Sequence, residues 1–175
     1  MLLELTDVCI CENKEVDIEA MPELTSFDSK LGSFPFLKKE PFELHIVNRE
    51  NKQLLITGET DVIVAIPCDR CLTEVPTGIH LVFDKKLPLG TAEDSGKDEE
   101  EDTDYMKGFH LDVDRLVYDE ILVNWPMKVL CKDDCKGICR KCGANLNLQT
   151  CNCGETELDP RMAAIQDVFN KFKEV

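Results

Sequence analysis

The segment CKDDCKGICRKCGANLNLQTCNC, residues 131–153, limits this chain more than any other feature. It places Cys131, Cys135, Cys139, Cys142, Cys151 and Cys153 in a short, glycine-containing stretch with too little apolar surface to fix its own fold. A bound metal supplies what a core cannot. A tetrahedral thiolate centre converts binding free energy into folding free energy, about 10 to 16 kcal/mol in small zinc modules. The step Cys139-x-x-Cys142-Gly143 has zinc-knuckle spacing: both sulfurs reach one ion, and the glycine relieves crowding where the backbone turns. The expected ligands of one structural zinc are Cys135, Cys139, Cys142 and Cys153, with Cys131 and Cys151 as reserves. Cys68-Asp69-Arg70-Cys71 is a second two-residue-spaced pair, and two such pairs together would build a zinc-ribbon site. Otherwise Cys68 and Cys71 read as reduced, partly buried thiols at a strand end. Four thiolates suit iron as well as zinc.

Cys9 and Cys11 alternate on an expected strand, so they point to opposite faces and read as structural. The opening MLLELTDVCICENKE has no basic region before an apolar run, and the apolar stretches are short or broken by charge. No signal peptide or membrane span is therefore expected. Ten cysteines without an export signal point to a reducing, cytoplasmic setting in which clustered thiols hold metal.

The formal net charge is -15, which opposes nucleic-acid binding by the whole surface. About half of it sits in Glu93 to Asp104, EDSGKDEEEDTD, which reads as a solvated linker and lacks the ligand alternation of a calcium loop. Between Pro126 and Gly143, Lys128, Lys132, Lys136, Arg140 and Lys141 outweigh Asp133 and Asp134, and one four-thiolate zinc centre reduces that local excess to roughly +1.

Apolar residues recur with period two before the acidic run. PFELHIV (41–47) puts Phe42, Leu44 and Ile46 on one face. In QLLITGETDVIVAIP (53–67) Leu54 and Ile56 precede an expected bend or bulge at Gly58, and Val62, Val64 and Ile66 resume the alternation. Residues 73–87 alternate through Ile79, Leu81 and Phe83, and residues 2–10 are expected to join the sheet. Residues 21–39 show no clean period. Beyond the acidic run, Val113, Leu116, Val117 and Ile121 fall at helical spacing behind Asp112 as N-cap. Asp159-Pro160 opens a second amphipathic helix bearing Ile165, Val168, Phe169 and Phe172. The expected fold is α+β: an antiparallel β-sheet meander followed by a helix, a small Cys-rich zinc module and a C-terminal helix. Residues 1–90 form the β-rich part, 91–108 an acidic disordered linker, and 109–175 the helices and zinc-binding module.

No enzyme is visible. His45, His80 and His110 lie outside the cysteine cluster, so a closed structural site is expected rather than a catalytic zinc with an open position. A thiol oxidoreductase using Cys68 and Cys71 has the spacing but lacks the strand-to-helix junction that acidifies such a thiol. Phosphate-binding glycine loops and nucleophile elbows are missing from the sequence.

The PCDRCL step at 67–72, the helix LDVDRLVYDEILVNWPMKVLC, the block CKDDCKGICRKCGANLN, the following CNC and the closing DPRMAAI resemble the bacterial YceD family of large ribosomal RNA subunit accumulation proteins. The likeness runs from about residue 42 and is densest over 111–169. It implies a cytoplasmic, non-enzymatic role in large-subunit ribosomal RNA accumulation. Some family members lack the cysteine block, which implies that the metal module is not needed for the shared activity. An acidic protein suits a basic partner, so the expected partner is a ribosomal protein or a large-subunit precursor. Direct rRNA contact through Lys128, Lys132, Lys136, Arg140 and Lys141 is the alternative, and predicts binding that weakens steeply with salt.

Overall fold

The computed structural model describes residues 1–89 and 105–153. Its centre is a long antiparallel hairpin of β6 (Gln53–Pro67) and β7 (Glu74–Pro88), paired in unbroken register from Gln53↔Pro88 to Pro67↔Glu74. On the other edge of β6, β5 (Phe42–Arg49) pairs along Gln53 to Gly58, and β4 (Gly32–Lys39) takes over at Val62 to Val64. The sheet forks there. β2 (Glu15–Ala20) extends the branch through β5, and β3 (Ser26–Ser29) the branch through β4. The expected meander is thus β5–β6–β7, with the remaining strands added at its branches.

Gly58 lies at the fork but makes no bulge in the β6–β7 pairing. A Cβ at Gly58 would stand 2.7 Å from the backbone carbonyl oxygen of Glu43. The glycine allows β5 a close approach, with no extra residue in the strand.

Leu54, Ile56, Val62 and Val64 of β6 and Ile79, Leu81 and Phe83 of β7 point inward and are buried, as the period-two pattern requires. Helix α2 (Val113–Val123) buries Val113, Leu116, Val117 and Ile121, and the Asp112 carboxylate accepts the Arg115 N–H at 3.3 Å as its N-cap. Glu120 on the same face is buried against Lys85 of β7, with Nζ 2.8 Å from its carboxylate. Phe27 of β3 stacks on Trp125 just past the helix, with ring centroids 5.0 Å apart. Residues 21–39, aperiodic in sequence, thus hold the β3–β4 hairpin that meets the helix end.

The first ten residues depart from the expected strand. β1 is only Leu2–Glu4, in a separate small sheet with β9 (His110–Asp112) and β8 (Met106–Lys107), and Thr6–Ile10 form helix α1. The cause is distant. Buried Asn48 on β5 donates from Nδ2 to the carbonyls of Val8, Cys9 and Cys11 at 2.8, 3.1 and 3.1 Å. Those are the acceptors that a short helix leaves unpaired at its end. Cys9 is therefore a buried helical thiol and Cys11 an exposed one just past the helix, not alternating strand residues.

Tyr105 is buried, and residues 106–107 form β8 where the linker was expected to run to 108. The core of the acidic run and the expected C-terminal helix lie outside the described residues. Among those described, no helix is long and apolar enough to cross a membrane.

Candidate metal centres

The tip of the β6–β7 hairpin is CDRCLT, residues 68–73. The Cys68 N–H donates to the Thr73 carbonyl at 2.8 Å and the Leu72 N–H to the Cys68 carbonyl at 2.9 Å, with Leu72 in the left-handed region at φ 61. This tight closure turns Cys68 and Cys71 to the same side.

Four contacts fasten the cysteine-rich segment to the tip. The Asp69 N–H donates to the Val129 carbonyl at 2.9 Å, and the Val129 N–H returns a bond to Asp69 Oδ2 at 2.8 Å. Arg70 Nη1 donates to the Cys135 carbonyl at 2.9 Å, and the Ile138 N–H to the Arg70 carbonyl at 3.1 Å. Gly137 passes so close, at φ +78, that a Cβ there would lie 3.0 Å from the Arg70 carbonyl oxygen.

These contacts bring Cys68, Cys71, Cys131 and Cys135 together, each offering a sulfur within 4.8 Å of the others. Cys68 Sγ lies 3.8 Å from Cys135 Sγ, and Cys71 Sγ 3.5 Å from Cys131 Sγ. Tetrahedral zinc with Zn–S bonds near 2.3 Å sets its sulfurs about 3.8 Å apart, so the spacing fits one ion. Asn147 Nδ2 donates to Cys135 Sγ at 3.2 Å, and Thr73 Oγ1 lies 3.3 Å from Cys71 Sγ. Such bonds orient ligands and spread the charge of a thiolate.

A second group, Cys139, Cys142, Cys151 and Cys153, meets the same 4.8 Å limit. Its knuckle closes through the Gly143 N–H on the Cys139 carbonyl at 2.9 Å, and the Cys139 N–H donates to the Ala144 carbonyl at 2.8 Å. Gly143 takes φ 73 at the turn. Lys141 Nζ reaches the Cys153 carbonyl at 3.1 Å, holding the last cysteine segment near the knuckle.

Thiols packed this closely share protons unevenly. Burial opposes ionisation of Cys68, but the backbone N–H groups of Arg70, Cys131 and Cys71 bring its pKa down to about 6. In the second group the N–H groups of Cys142 and Lys141 lower Cys139 to about 6. Their neighbours move the other way: the hydrogen bond with Cys71 pushes Cys131 up to about 12, and that with Cys142 does the same to Cys153. A divalent cation among four such sulfurs holds all of them as thiolates. Each group could hold one metal ion, with no histidine or carboxylate in either.

The grouping differs from the single site expected. Cys139, Cys142 and Cys153 do come together, but with Cys151, one of the reserves; Cys135 and Cys131 join Cys68 and Cys71 instead. The physical reason is chain path. Gly137 and Ile138 are tied to Arg70, so the backbone between Cys135 and Cys139 is held at the hairpin tip, and the two cysteines fall in different groups. The ribbon pairing of both two-residue-spaced pairs on one ion is not formed, since each pair anchors its own group. Cys9 and Cys11 belong to neither. Asn145 and Asn147 were not anticipated: Asn147 joins the Lys136 N–H to Cys135 Sγ, and Asn145 Nδ2 reaches Thr73 Oγ1 at 3.3 Å. Lys128, Lys132, Lys136, Arg140 and Lys141 are all exposed.

The family model described as "Large ribosomal RNA subunit accumulation protein YceD" matches residues 56–169, a span that includes all eight grouped cysteines. The chain is similar to the chloroplastic large ribosomal RNA subunit accumulation protein YCED homolog 1 of Arabidopsis thaliana, 27% identical over 139 residues, covering 65% of this chain and 43% of the relative. The corresponding Zea mays protein is 27% identical over 135 residues, covering 61% and 46%. An uncharacterized protein of Mycobacterium leprae is 21% identical over 123 residues, covering 70% and 56%. The chain thus spans less than half the length of the two plant relatives. No solved structure matches it.

Proposed function

Because the chain belongs to the YceD family of large ribosomal RNA subunit accumulation proteins, we propose that it is a non-enzymatic cytoplasmic factor for accumulation of large-subunit ribosomal RNA. It acts by binding a basic ribosomal protein or a large-subunit precursor, through a surface held by two structural zinc ions. One ion is bound by Cys68, Cys71, Cys131 and Cys135, the other by Cys139, Cys142, Cys151 and Cys153. The observation that carries this reading is the double four-sulfur arrangement, each group fully supplied by cysteine. A closed thiolate set leaves no open position for substrate, which favours a structural part over a catalytic one. The same grouping argues against a thiol oxidoreductase, since Cys68 and Cys71 are committed with Cys131 and Cys135.

Charge favours a protein partner over RNA. The local excess of three positive charges between residues 126 and 143 is reversed to a slight negative balance by two four-thiolate zinc centres, each contributing about -2. The lysines and Arg140 would then meet phosphate without a net attractive field.

The test is the ratio of large- to small-subunit ribosomal RNA in cells depleted of the protein and rescued with wild type or with Cys139→Ser/Cys142→Ser. A fallen ratio restored by wild type supports the role, and failure of the double variant makes the second centre necessary to it. An unchanged ratio on depletion overturns the role. RNA binding by the purified protein with a steep salt dependence would replace the protein-partner version with direct contact.

A further inference from the structure

β7 pairs with β6 along one edge for all 15 of its residues and has no other strand neighbour among the described residues. A long unpaired edge offers a row of N–H and C=O groups to any extended chain, and folded proteins usually blunt such edges. Here the blunting is at the ends. Pro76 and Gly78 interrupt the stretch near the hairpin tip, and at the other end Leu87 and Pro88 line a cavity with Met106, Gly108 and Phe109 of the small sheet. The stretch from Ile79 to Lys86 has no proline or glycine; its charged and titratable residues are His80, Asp84, Lys85, which pairs with Glu120, and exposed Lys86.

The solvent face beside that stretch carries three carboxylates against one lysine, Lys86, and His80 Nδ1 lies 3.0 Å from Asp61 Oδ1. Across the register Glu59 stands opposite Val82, and Asp61 opposite His80, with Asp84 two residues further along β7. Glu59, Asp61 and Asp84 are exposed. Val82 is 52% exposed, an apolar contact in the middle of the acidic rows.

We propose that the edge of β7 from Ile79 to Lys86 accepts an extended, lysine- or arginine-bearing segment of a protein partner as an added strand. The proposal rests on the basic-protein reading above and names where that partner docks. Backbone pairing supplies affinity, and the solvent-facing side chains of the added strand, every second residue, supply selectivity: their cationic heads face the carboxylates and an aliphatic stem lies against Val82. A nucleic acid has no backbone to continue the ladder and meets carboxylates with phosphates. A second copy of this chain brings the same net-acidic face, three carboxylates against Lys86, and so lacks the cationic excess of a basic segment.

The probe is a nine-residue, end-blocked peptide of alternating lysine and valine, titrated into the full-length, isotopically labelled protein at low salt. The expected result is slowed amide exchange and shifted resonances on β7 between Ile79 and Lys86. The same peptide N-methylated at alternate backbone nitrogens keeps its charge and should bind about tenfold more weakly or not at all. Glu59→Lys/Asp61→Lys/Asp84→Lys should weaken the unmodified peptide on the order of tenfold, the sum of three exposed pairs. Equal binding of both peptides overturns the proposal, leaving charge attraction only. It is also overturned if outward β7 amides are already protected in the free monomer, which would place a segment of the same chain there. Protection that vanishes on dilution would assign the edge to a second copy, and the same protection by an oligouridine would assign it to RNA; both overturn it. The ribosomal RNA ratio reads the role and not the edge. A fallen ratio without peptide protection of β7 overturns only the edge, whereas peptide protection with an unchanged ratio supports the edge and overturns the role.

Discussion

The two groups of four cysteines share one chemistry but hold different things together. In the first, Cys68, Cys71 and Cys135 are buried, and the sulfur contacts join positions 60 and 67 residues apart. In the second, every cysteine comes from residues 139–153, Cys142 is exposed and the other three are only partly covered. A metal in the first site would fasten the module to the main hairpin; a metal in the second would fold only the module's outer loops. Closing a long loop restricts the unfolded chain more than closing a short one, although the dependence on length is weak. Burial, and the Asp69, Arg70 and Gly137 contacts around it, make the larger difference.

The largest expected effect separates the two. Cys135→Ser should remove at least one metal per chain and lower the thermal midpoint of the whole fold, because several kcal/mol of coupled binding and docking are lost. Cys139→Ser should also remove one metal, yet leave the sheet melting within a few degrees of wild type, since its grouped partners all lie within residues 139–153. Cys9→Ser should retain both metals. Metal content by elemental analysis and far-ultraviolet melting of the three variants give the readout. Equal melting of Cys135→Ser and Cys139→Ser would erase the distinction between an anchoring centre and a local one. A chelator sharpens it: release from wild type should be biphasic, with the fast phase missing from Cys139→Ser.

That contrast was only half legible in the sequence. The β5–β7 alternation, the Asp112 cap and the buried stripe of α2 could be read because strand and helix periods are local properties of the chain. So could the knuckle Cys139-x-x-Cys142-Gly143, whose geometry follows from spacing. The partners of Cys135 could not be read that way: they are set by where the hairpin tip, more than 60 residues earlier, meets the segment after α2. One clue was present. Setting Cys9 and Cys11 aside leaves eight cysteines, with a two-residue-spaced pair in each half, which is the count for two ions rather than one. Helix α1 was hidden for a related reason. Its five residues have no side-chain N-cap, and its C-terminal carbonyls are satisfied by Asn48, which only the sheet brings near. Of the bend or bulge expected at Gly58, the bulge is not formed; the close approach of the Glu43 carbonyl that needs the glycine could not be read from one strand alone.

A smaller effect tests the anchor without touching a sulfur. Asp69 both donates its N–H to Val129 and accepts the Val129 N–H on its carboxylate. Asp69→Ala leaves that N–H without its acceptor in a part-buried place, at a cost of about 1 to 3 kcal/mol. Asp69→Asn keeps an acceptor oxygen and should recover most of the loss. Denaturant midpoints measure both, and metal retention should be unchanged in each. A full loss in Asp69→Asn would mean that the carboxylate's charge, not the hydrogen bond, holds the segment to the tip.

The smallest expected difference compares the two glycines that serve the two centres. Both lie in the left-handed region, Gly137 at φ +78 and Gly143 at φ +73, so an alanine at either pays the backbone penalty of roughly 1 to 2 kcal/mol. Their surroundings differ. Around Gly143 nothing lies within 4 Å of an added Cβ, whereas at Gly137 the Arg70 carbonyl oxygen is 3.0 Å away, and Arg70 is itself bonded to Ile138 and Cys135. Gly143→Ala should therefore cost only the backbone term and leave the first centre intact. Gly137→Ala should cost more, because the hairpin tip must shift by a few tenths of an ångström, and that shift is transmitted to Cys68 and Cys71 on either side of Arg70. Faster chelator release from the slow, anchoring centre in Gly137→Ala alone is the expected mark of that path. Identical release kinetics in the two variants would show that the close approach at Gly137 does not couple the hairpin tip to its metal site.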